Sequence, residues 1–243
     1  MRDVWTVMWR EWKELAVWDG GWVTLATLLA FAGLIGVFLP FQLGPAWLGA
    51  PWVLLFWVWM PLFLVTTVTA DTVAGERERH TLETLLATRL PDRAILFGKI
   101  GAAVTWVWGA TILCLPLGVL TVNLLRRPGE LLLYEPGVAA GIAVVTFLAA
   151  LLGAALGVLV SLRTPTVRQA QQALAMAVML LFLVPLLALK LFPWGWANEI
   201  LQLFVSGNTA GVAAGLAGLL GGMDLVLLGI AGARFRRERL LLD

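Results

Sequence analysis

The residues that could take part in chemistry are concentrated in one polar segment, residues 71–99, of a chain that is 60% hydrophobic. The segment holds five acidic and five basic residues: Asp71, Glu76, Glu78, Glu83, Asp92, Arg77, Arg79, Arg89, Arg93 and Lys99. Because charges of both signs alternate in it, we expect the segment to be solvated or to face a protein partner. The chemistry that it offers is ion pairing and hydrogen bonding.

The same segment contains three leucines, Leu82, Leu85 and Leu86, at a spacing that places them on one face of a short helix. A soluble loop gains nothing by exposing three leucines to water. The spacing therefore favours a helix that lies on the membrane surface or fits into a pocket of another protein. A plain solvated loop with one helical turn is the alternative. After it, Pro91 and Asp92 suit the first turn of a new helix.

The groups that catalysis would need are missing from the sequence. It has no glycine-rich phosphate loop with its lysine, no His-Glu-x-x-His pair and no Gly-x-Ser-x-Gly turn. It has one histidine, His80, and one cysteine, Cys114, which excludes an internal disulfide and most metal sites built from this chain alone. Cys114 lies in an apolar run and is expected to pack there. The sequence therefore shows no nucleotide site of its own.

Four of the polar residues inside the hydrophobic runs are candidates for a substrate pathway. Asp224 lies ten residues before Arg234 and is an acid well inside a predicted membrane span. Such a carboxylate is costly and usually faces a cavity or a partner. A hydrogen-bonded structural role, or a wet position near the inner surface, is the alternative. Thr66, Thr67 and Thr69 could line a pathway or bond the backbone of their own helix.

The composition is that of an integral membrane protein. Only 13% of the residues are charged and the mean hydropathy is +0.91, whereas about a quarter of the residues of a soluble domain are charged. Crossing about 30 Å of hydrocarbon takes about 20 apolar residues in a helix. Six segments meet that requirement, at about residues 22–40, 51–70, 98–122, 137–161, 172–192 and 209–232.

The predicted fold is an all-α integral membrane protein with six transmembrane helices, preceded by an N-terminal interfacial amphipathic helix at residues 3–18. In that first helix Trp5, Met8, Trp9, Trp12 and Ala16 share one face. It is too polar to cross the bilayer and is expected to lie in the headgroup layer. An ordinary surface helix is the alternative. We find no second domain, so residues 1–243 are predicted to form one transmembrane domain.

The distribution of basic residues predicts the orientation of the chain. Six crossings put both termini on one side, and fourteen of the seventeen Lys and Arg residues fall on that side. The positive-inside rule makes it the cytoplasmic side of the cell membrane. Residues 71–98 are then a cytoplasmic loop. The basic C-terminal cluster is expected to meet anionic lipid headgroups, and we predict no nucleic-acid partner.

Glycine pairs four residues apart occur in the fourth and sixth spans, at Gly153 and Gly157, Gly211 and Gly215, and Gly218 and Gly222. This spacing allows close helix approach. It does not distinguish packing inside one bundle from packing between two.

Residues 75–99 resemble the signature of the permease subunits of the type-two ABC (ATP-binding-cassette) exporter family. The matching positions are Gly75, Glu76, Glu78, Arg79, Thr81, Leu82, Glu83, Leu85, Leu86, Ala87, Thr88, Arg93, Ile95, Leu96, Gly98 and Lys99. His80 stands where the family usually has glycine, Arg89 where it has proline, and Pro91 where it has a small polar residue. Residues 9–15 resemble the elbow helix with which such exporters begin.

The resemblance implies alternating access driven by an ABC ATP-binding subunit, which binds ATP and Mg, with no cofactor in this chain. It also implies a second permease protomer, identical or related. The residues expected to couple to the ATPase subunit are Glu76, Arg77, Glu78, Arg79, Thr81, Leu82, Glu83, Leu85 and Leu86. The alternative is a non-transporting membrane scaffold or immunity protein that binds an ATPase partner. An intramembrane enzyme is disfavoured because no nucleophile, base or metal constellation is present.

Overall fold

The computed structural model describes residues 2–17, 21–70, 73–80, 90–126, 131–191, 202 and 208–234, and within these ranges it contains helices and no strands. Six of its helices or helical runs are long and apolar enough to cross a membrane. The predicted fold class, an all-α membrane protein with six spans after a polar N-terminal helix, is therefore confirmed.

The N-terminal helix, α1, runs from Arg2 to Val17 and packs along a later helix, α7, Asp92–Arg126. Glycine permits this close approach, since a Cβ added at Gly98 would lie 2.5 Å from the Cβ of Val7. Further along the same contact, the Trp12 indole N–H donates to Thr105 Oγ1 at 3.1 Å. Trp5 and Trp9 are 57% and 51% exposed. Part of the predicted tryptophan face therefore points away from the bundle.

The first span is built from three consecutive pieces. α2 (Gly21–Phe31) continues into a π-helix (Ala32–Phe38) and then α3 (Leu39–Leu43). The π-helical turns are wider than those of an α-helix. Within them the carbonyl of Gly36 accepts a hydrogen bond from Thr121 Oγ1 of α7 at 2.9 Å. The short helix α4 (Ala46–Gly49) follows on the way to the second span.

The centre of the bundle is the contact between α5 (Val53–Thr69) and α8 (Pro136–Ser161). A Cβ added at Gly153 or Gly157 would collide with the side chain of Val65 or Thr69, respectively. The glycine pair of the fourth span therefore serves packing inside this chain. By contrast, Gly215, Gly218 and Gly222 of the last span have open space where a Cβ would be.

The third span is longer than predicted. α7 has 35 residues, which at about 1.5 Å per residue is about 52 Å, well beyond the hydrocarbon thickness of about 30 Å. It begins six residues before the predicted residue 98. Its first turn carries Asp92 after Pro91, as expected for a helix start, and the Pro91 carbonyl accepts from Ala94 N at 2.8 Å. Six of the extra residues lie at the end where α1 packs, and four lie at the opposite end.

The remaining helices complete the bundle, and the two long ones among them present apolar faces outward. They are α6 (Ala74–Glu78), which follows α5, α9 (Val167–Leu191) and α10 (Thr209–Arg234). On α10, Leu219, Leu225 and Val226 are each more than 60% exposed. Large apolar side chains exposed in this way are expected of helices that face lipid. The division of the whole chain into one permease domain stays a prediction.

The tight α5–α8 contact generates a stability prediction. Gly157→Val should lower the free energy of unfolding by about 1–3 kcal/mol, because the new side chain must displace Thr69. Thermal unfolding of the purified protein in detergent measures the effect. Gly218→Val is the matched control, since it adds the same side chain to a helix position with open space. Equal losses for the two variants would contradict the packing assignment.

Candidate functional site

The short helix α6, the first part of the predicted coupling segment, begins against the end of α8. The backbone N–H groups of Val73 and Ala74 donate to Ser161 Oγ at 3.1 and 2.7 Å, and the same hydroxyl donates to the carbonyl of Ala70 at 3.3 Å. The first N–H groups of a helix have no partner within it. Here a serine from another helix accepts two such bonds, and so ties the start of α6 to α8.

A buried lysine joins α6 to α1 and α7. Lys99 Nζ lies 2.8 Å from Glu11 Oε1 of α1 and 2.9 Å from Glu76 Oε1 of α6. Lys99 is 2% exposed and Glu76 is 5% exposed. A lysine held out of water needs such partners, because an unpaired buried charge is strongly unfavourable. Three helices are therefore bound to one another through a single ammonium group.

The other side of α6 binds the turn between α8 and α9. The Arg77 guanidinium donates to the carbonyls of Thr164 at 3.1 Å and Leu162 at 3.4 Å. Glu78 Oε1 accepts a hydrogen bond from the backbone N–H of Val167 at 3.0 Å. A cation thus meets the carbonyl end of α8 and a carboxylate meets the N–H end of α9, as the helix dipoles favour. We call the contacts of α6 with α1, α7 and this turn the α6 junction.

His80, at the end of the junction, departs from the family pattern at a position where the backbone conformation suits glycine. Its φ is 55°, in the left-handed region that favours glycine. Among the residues that the structure describes, no other non-glycine residue has a positive φ. Glycine, the usual residue of the resembling family at this position, adopts such a φ without steric cost. His80 adopts this conformation here with a side chain that makes it less favourable than it would be for glycine.

The structure describes only part of the predicted coupling set. Glu76, Arg77 and Glu78 form the junction, and Arg79 is exposed after it. The remaining members lie outside the described residues: Thr81, Leu82, Glu83, Leu85 and Leu86. Contact with an ATPase subunit stays a prediction for all nine.

Three residues of the junction were not singled out from the sequence as site residues. They are Glu11, Lys99 and Ser161. One sequence feature could have identified Lys99 as a site residue. It is a charged residue at the end of the family signature, next to a glycine and at the start of an apolar span. The pairing partners, 88 and 23 residues away in the chain, leave no mark in the periodicity of the sequence.

The candidate pathway residues lie elsewhere in the bundle. Thr66, Thr67 and Thr69 donate their hydroxyls to the carbonyls of Phe63, Leu64 and Val65 in their own helix, at 2.7 to 2.8 Å. These bonds to the backbone of their own helix are the alternative to a pathway lining that the sequence leaves open.

Asp224, the fourth candidate, is 2% exposed on α10, and neither carboxylate oxygen has a hydrogen-bond partner among the described residues. A role in a pathway stays a prediction for Asp224 and for the three threonines.

A bundle of six apolar helices, with a polar helix tied to a charged junction at one end, defines a multi-pass membrane protein. Residues 46–209 match the family model described as ABC-2 family transporter protein. The match covers more than half of the chain, so the chain belongs to the ABC-2 transporter family. It is a permease subunit of an ABC system. No curated protein matches the sequence.

The buried lysine generates a second stability prediction. Lys99→Met leaves Glu11 and Glu76 buried without their cation, and should lower the free energy of unfolding by about 3–5 kcal/mol. Thermal unfolding measures it. Arg10→Met is the matched control, because it breaks a 2.8 Å ion pair between Arg10 and Glu14 of α1. The side chains of this pair are about half exposed. Loss of such a pair costs about 0–1 kcal/mol.

A combined variant separates lost charge pairing from lost packing. Replacing all three charged residues, as Glu11→Gln, Glu76→Gln and Lys99→Met together, removes the buried charges at nearly constant volume and should recover most of the stability. A triple variant as unstable as Lys99→Met would contradict the assignment of the loss to unpaired charge.

Proposed function

We propose that the chain is the membrane-spanning permease subunit of an ATP-driven exporter, which moves its substrate by alternating access and draws energy from a separate ATP-binding subunit. ATP and Mg are bound in that partner, and a second permease protomer completes the pathway. The family membership supports the permease role. Export, the ATPase partner and the paired protomers follow the resemblance of residues 75–99.

The α6 junction is the observation that carries the coupling part of this proposal. The leucine-bearing segment at residues 81–89 follows directly after α6 in the chain. Through Ser161, Lys99 and Arg77, α6 is bound to α8, to α7 and α1, and to the turn before α9. A force applied to residues 81–89 would therefore be transmitted through α6 to four helices, α1, α7, α8 and α9. Transmission through such packed elements is how rigid-body transitions are driven.

The junction also supports a cytoplasmic orientation for both termini. α1, α6, the start of α7 and the α8–α9 turn contact one another, so they occupy one end of the bundle. Six crossings predict that residues 71–98 and both termini lie on one side of the membrane. With fourteen of seventeen basic residues on that side, the positive-inside rule makes it cytoplasmic. ATP is available to a partner there.

The leucine face provides the direct test of coupling. Leu86→Asp should reduce co-purification with an ATP-binding subunit encoded by an adjacent gene at least tenfold, and Leu82→Asp with Leu86→Asp should abolish it, since a carboxylate cannot enter an apolar pocket without a large desolvation cost. Transport-linked ATP turnover in vesicles should fall in parallel.

Thr84→Asp is the matched control for this test. Thr84 comes two residues after Leu82, which in the predicted helical turn is the side opposite the leucines, so the substitution adds the same charge off the leucine face. It should leave co-purification unchanged. Equal losses for Thr84→Asp and Leu86→Asp would contradict the leucine pocket. Binding that persists without any ATP-dependent flux would instead favour the scaffold protein.

Asp224 is proposed to act in the pathway, because a buried carboxyl group with no described hydrogen-bond partner is costly to keep inside a span. Asp224→Asn removes its charge at nearly constant size. We expect thermal stability to be retained and transport-linked ATP turnover to fall at least tenfold. Unaltered transport with an unaltered pH dependence would contradict the proposal.

A further inference from the structure

A cleft opens between α1, α2 and α7, on the side of α1 away from the buried Lys99 pair. Its volume is about 630 Å³, within the range of small-molecule sites, about 300–1,000 Å³. The residues that line it include Trp9, Trp12, Lys13, Trp106, Gly109 and Leu113. A Cβ added at Gly109 would meet nothing within 4 Å, which is what an open space beside that helix position requires.

The lining is apolar except at one end. The Trp12 indole N–H donates to Thr105 Oγ1 at 3.1 Å and to the Ala102 carbonyl at 3.3 Å, and the Thr105 hydroxyl donates to the same carbonyl at 3.1 Å. Lys13 is the charged residue of the lining. Its Nζ lies 5.5 Å from the centroid of the Trp9 ring, and the structure gives it no ion pair among the described residues. The cleft therefore combines one cation with an apolar wall.

The polar and apolar ends of the cleft lie in the same order as the headgroup and acyl-chain layers of a lipid leaflet. The cation and Trp9 are on α1, whose amphipathic sequence places it in the headgroup layer, where tryptophan is also favoured. From Thr105 to Leu113 the wall follows α7 for about 12 Å toward the middle of the span. Leu113 is 73% exposed. A molecule lying along this path needs an anionic head and an apolar tail.

We propose that the cleft binds one anionic phospholipid, with its phosphate at Lys13 and an acyl chain along Trp106, Gly109 and Leu113. Lysine can extend its ammonium toward a headgroup while its methylene stem stays on the apolar wall. The lipid then fills the space between α1 and α7, and so reinforces the contact that also holds Glu11 on Lys99. This site is independent of the exporter proposal, since it needs neither an ATPase subunit nor a substrate.

Native mass spectrometry of the delipidated full chain tests the proposal with two probes, phosphatidylglycerol and phosphatidylcholine. The wild type should retain one phosphatidylglycerol about fivefold more tightly than phosphatidylcholine, the factor that one lysine at an anionic surface contributes. Lys13→Gln should abolish this preference. Arg2→Gln, an exposed cation of the same helix that does not line the cleft, should keep it. Equal binding of the two lipids by the wild type would overturn the anionic selectivity.

A second pair of variants tests whether the cleft itself holds the lipid. Gly109→Leu fills it from α7 without adding charge and should lower retention of both lipids at least tenfold. Gly221→Leu adds the same side chain at an open position of α10 and should change neither. Should Gly109→Leu fail to fold, Ala110→Leu fills the same cleft. Retention by both cleft variants, or a dimer that excludes lipid from the cleft, would overturn the proposal.

Discussion

The buried ammonium of Lys99 is the constraint on which the end of the bundle depends. A lysine that is 2% exposed is tolerable only where acceptors surround it. Glu11 and Glu76 supply carboxylate oxygens at 2.8 and 2.9 Å. Each acceptor contributes one of the two ion pairs, so removing either leaves the buried ammonium with a single carboxylate partner and unties one helix from α7. The positions of α1 and α6 on α7 are thus set by electrostatic need as well as by packing.

The same reasoning explains how a helix of five residues can persist. An isolated helix shorter than about 12 residues is marginal in water. The contacts that hold α6 are tertiary: Ser161 at its start, Lys99 on one side and the α8–α9 turn on the other. Since these contacts come from separate helices, α6 cannot shift without breaking several of them or moving those helices as well.

Much of the fold could be predicted from the sequence because hydrocarbon thickness fixes the length of each apolar run. Hydropathy places the start of the third span at residue 98, six residues inside α7, because a helix can continue into the polar layer, where hydropathy no longer marks it. The start of the helix itself is predicted by Pro91 and Asp92. The site was harder to predict. Alternating charges at Glu76 to Arg79 indicated a solvated or partner-facing surface, yet Glu76, Arg77 and Glu78 are used inside the chain. Pairing between distant residues has no periodic signal.

Glycine spacing also fails to reveal from the sequence which helices pack together. The packing that the structure shows bears on how the bundle can move. Gly153 and Gly157 press α8 onto α5, whereas Gly218 and Gly222 on α10 have open space beside them, although both pairs are four residues apart. Close packing leaves α5 and α8 no room to slide past each other. Because Ser161 at the end of α8 also holds α6, a displacement of α6 that keeps these hydrogen bonds moves α8, and α5 packed on it, in the same direction. The lipid-facing side of α10 carries no such restraint within the described residues.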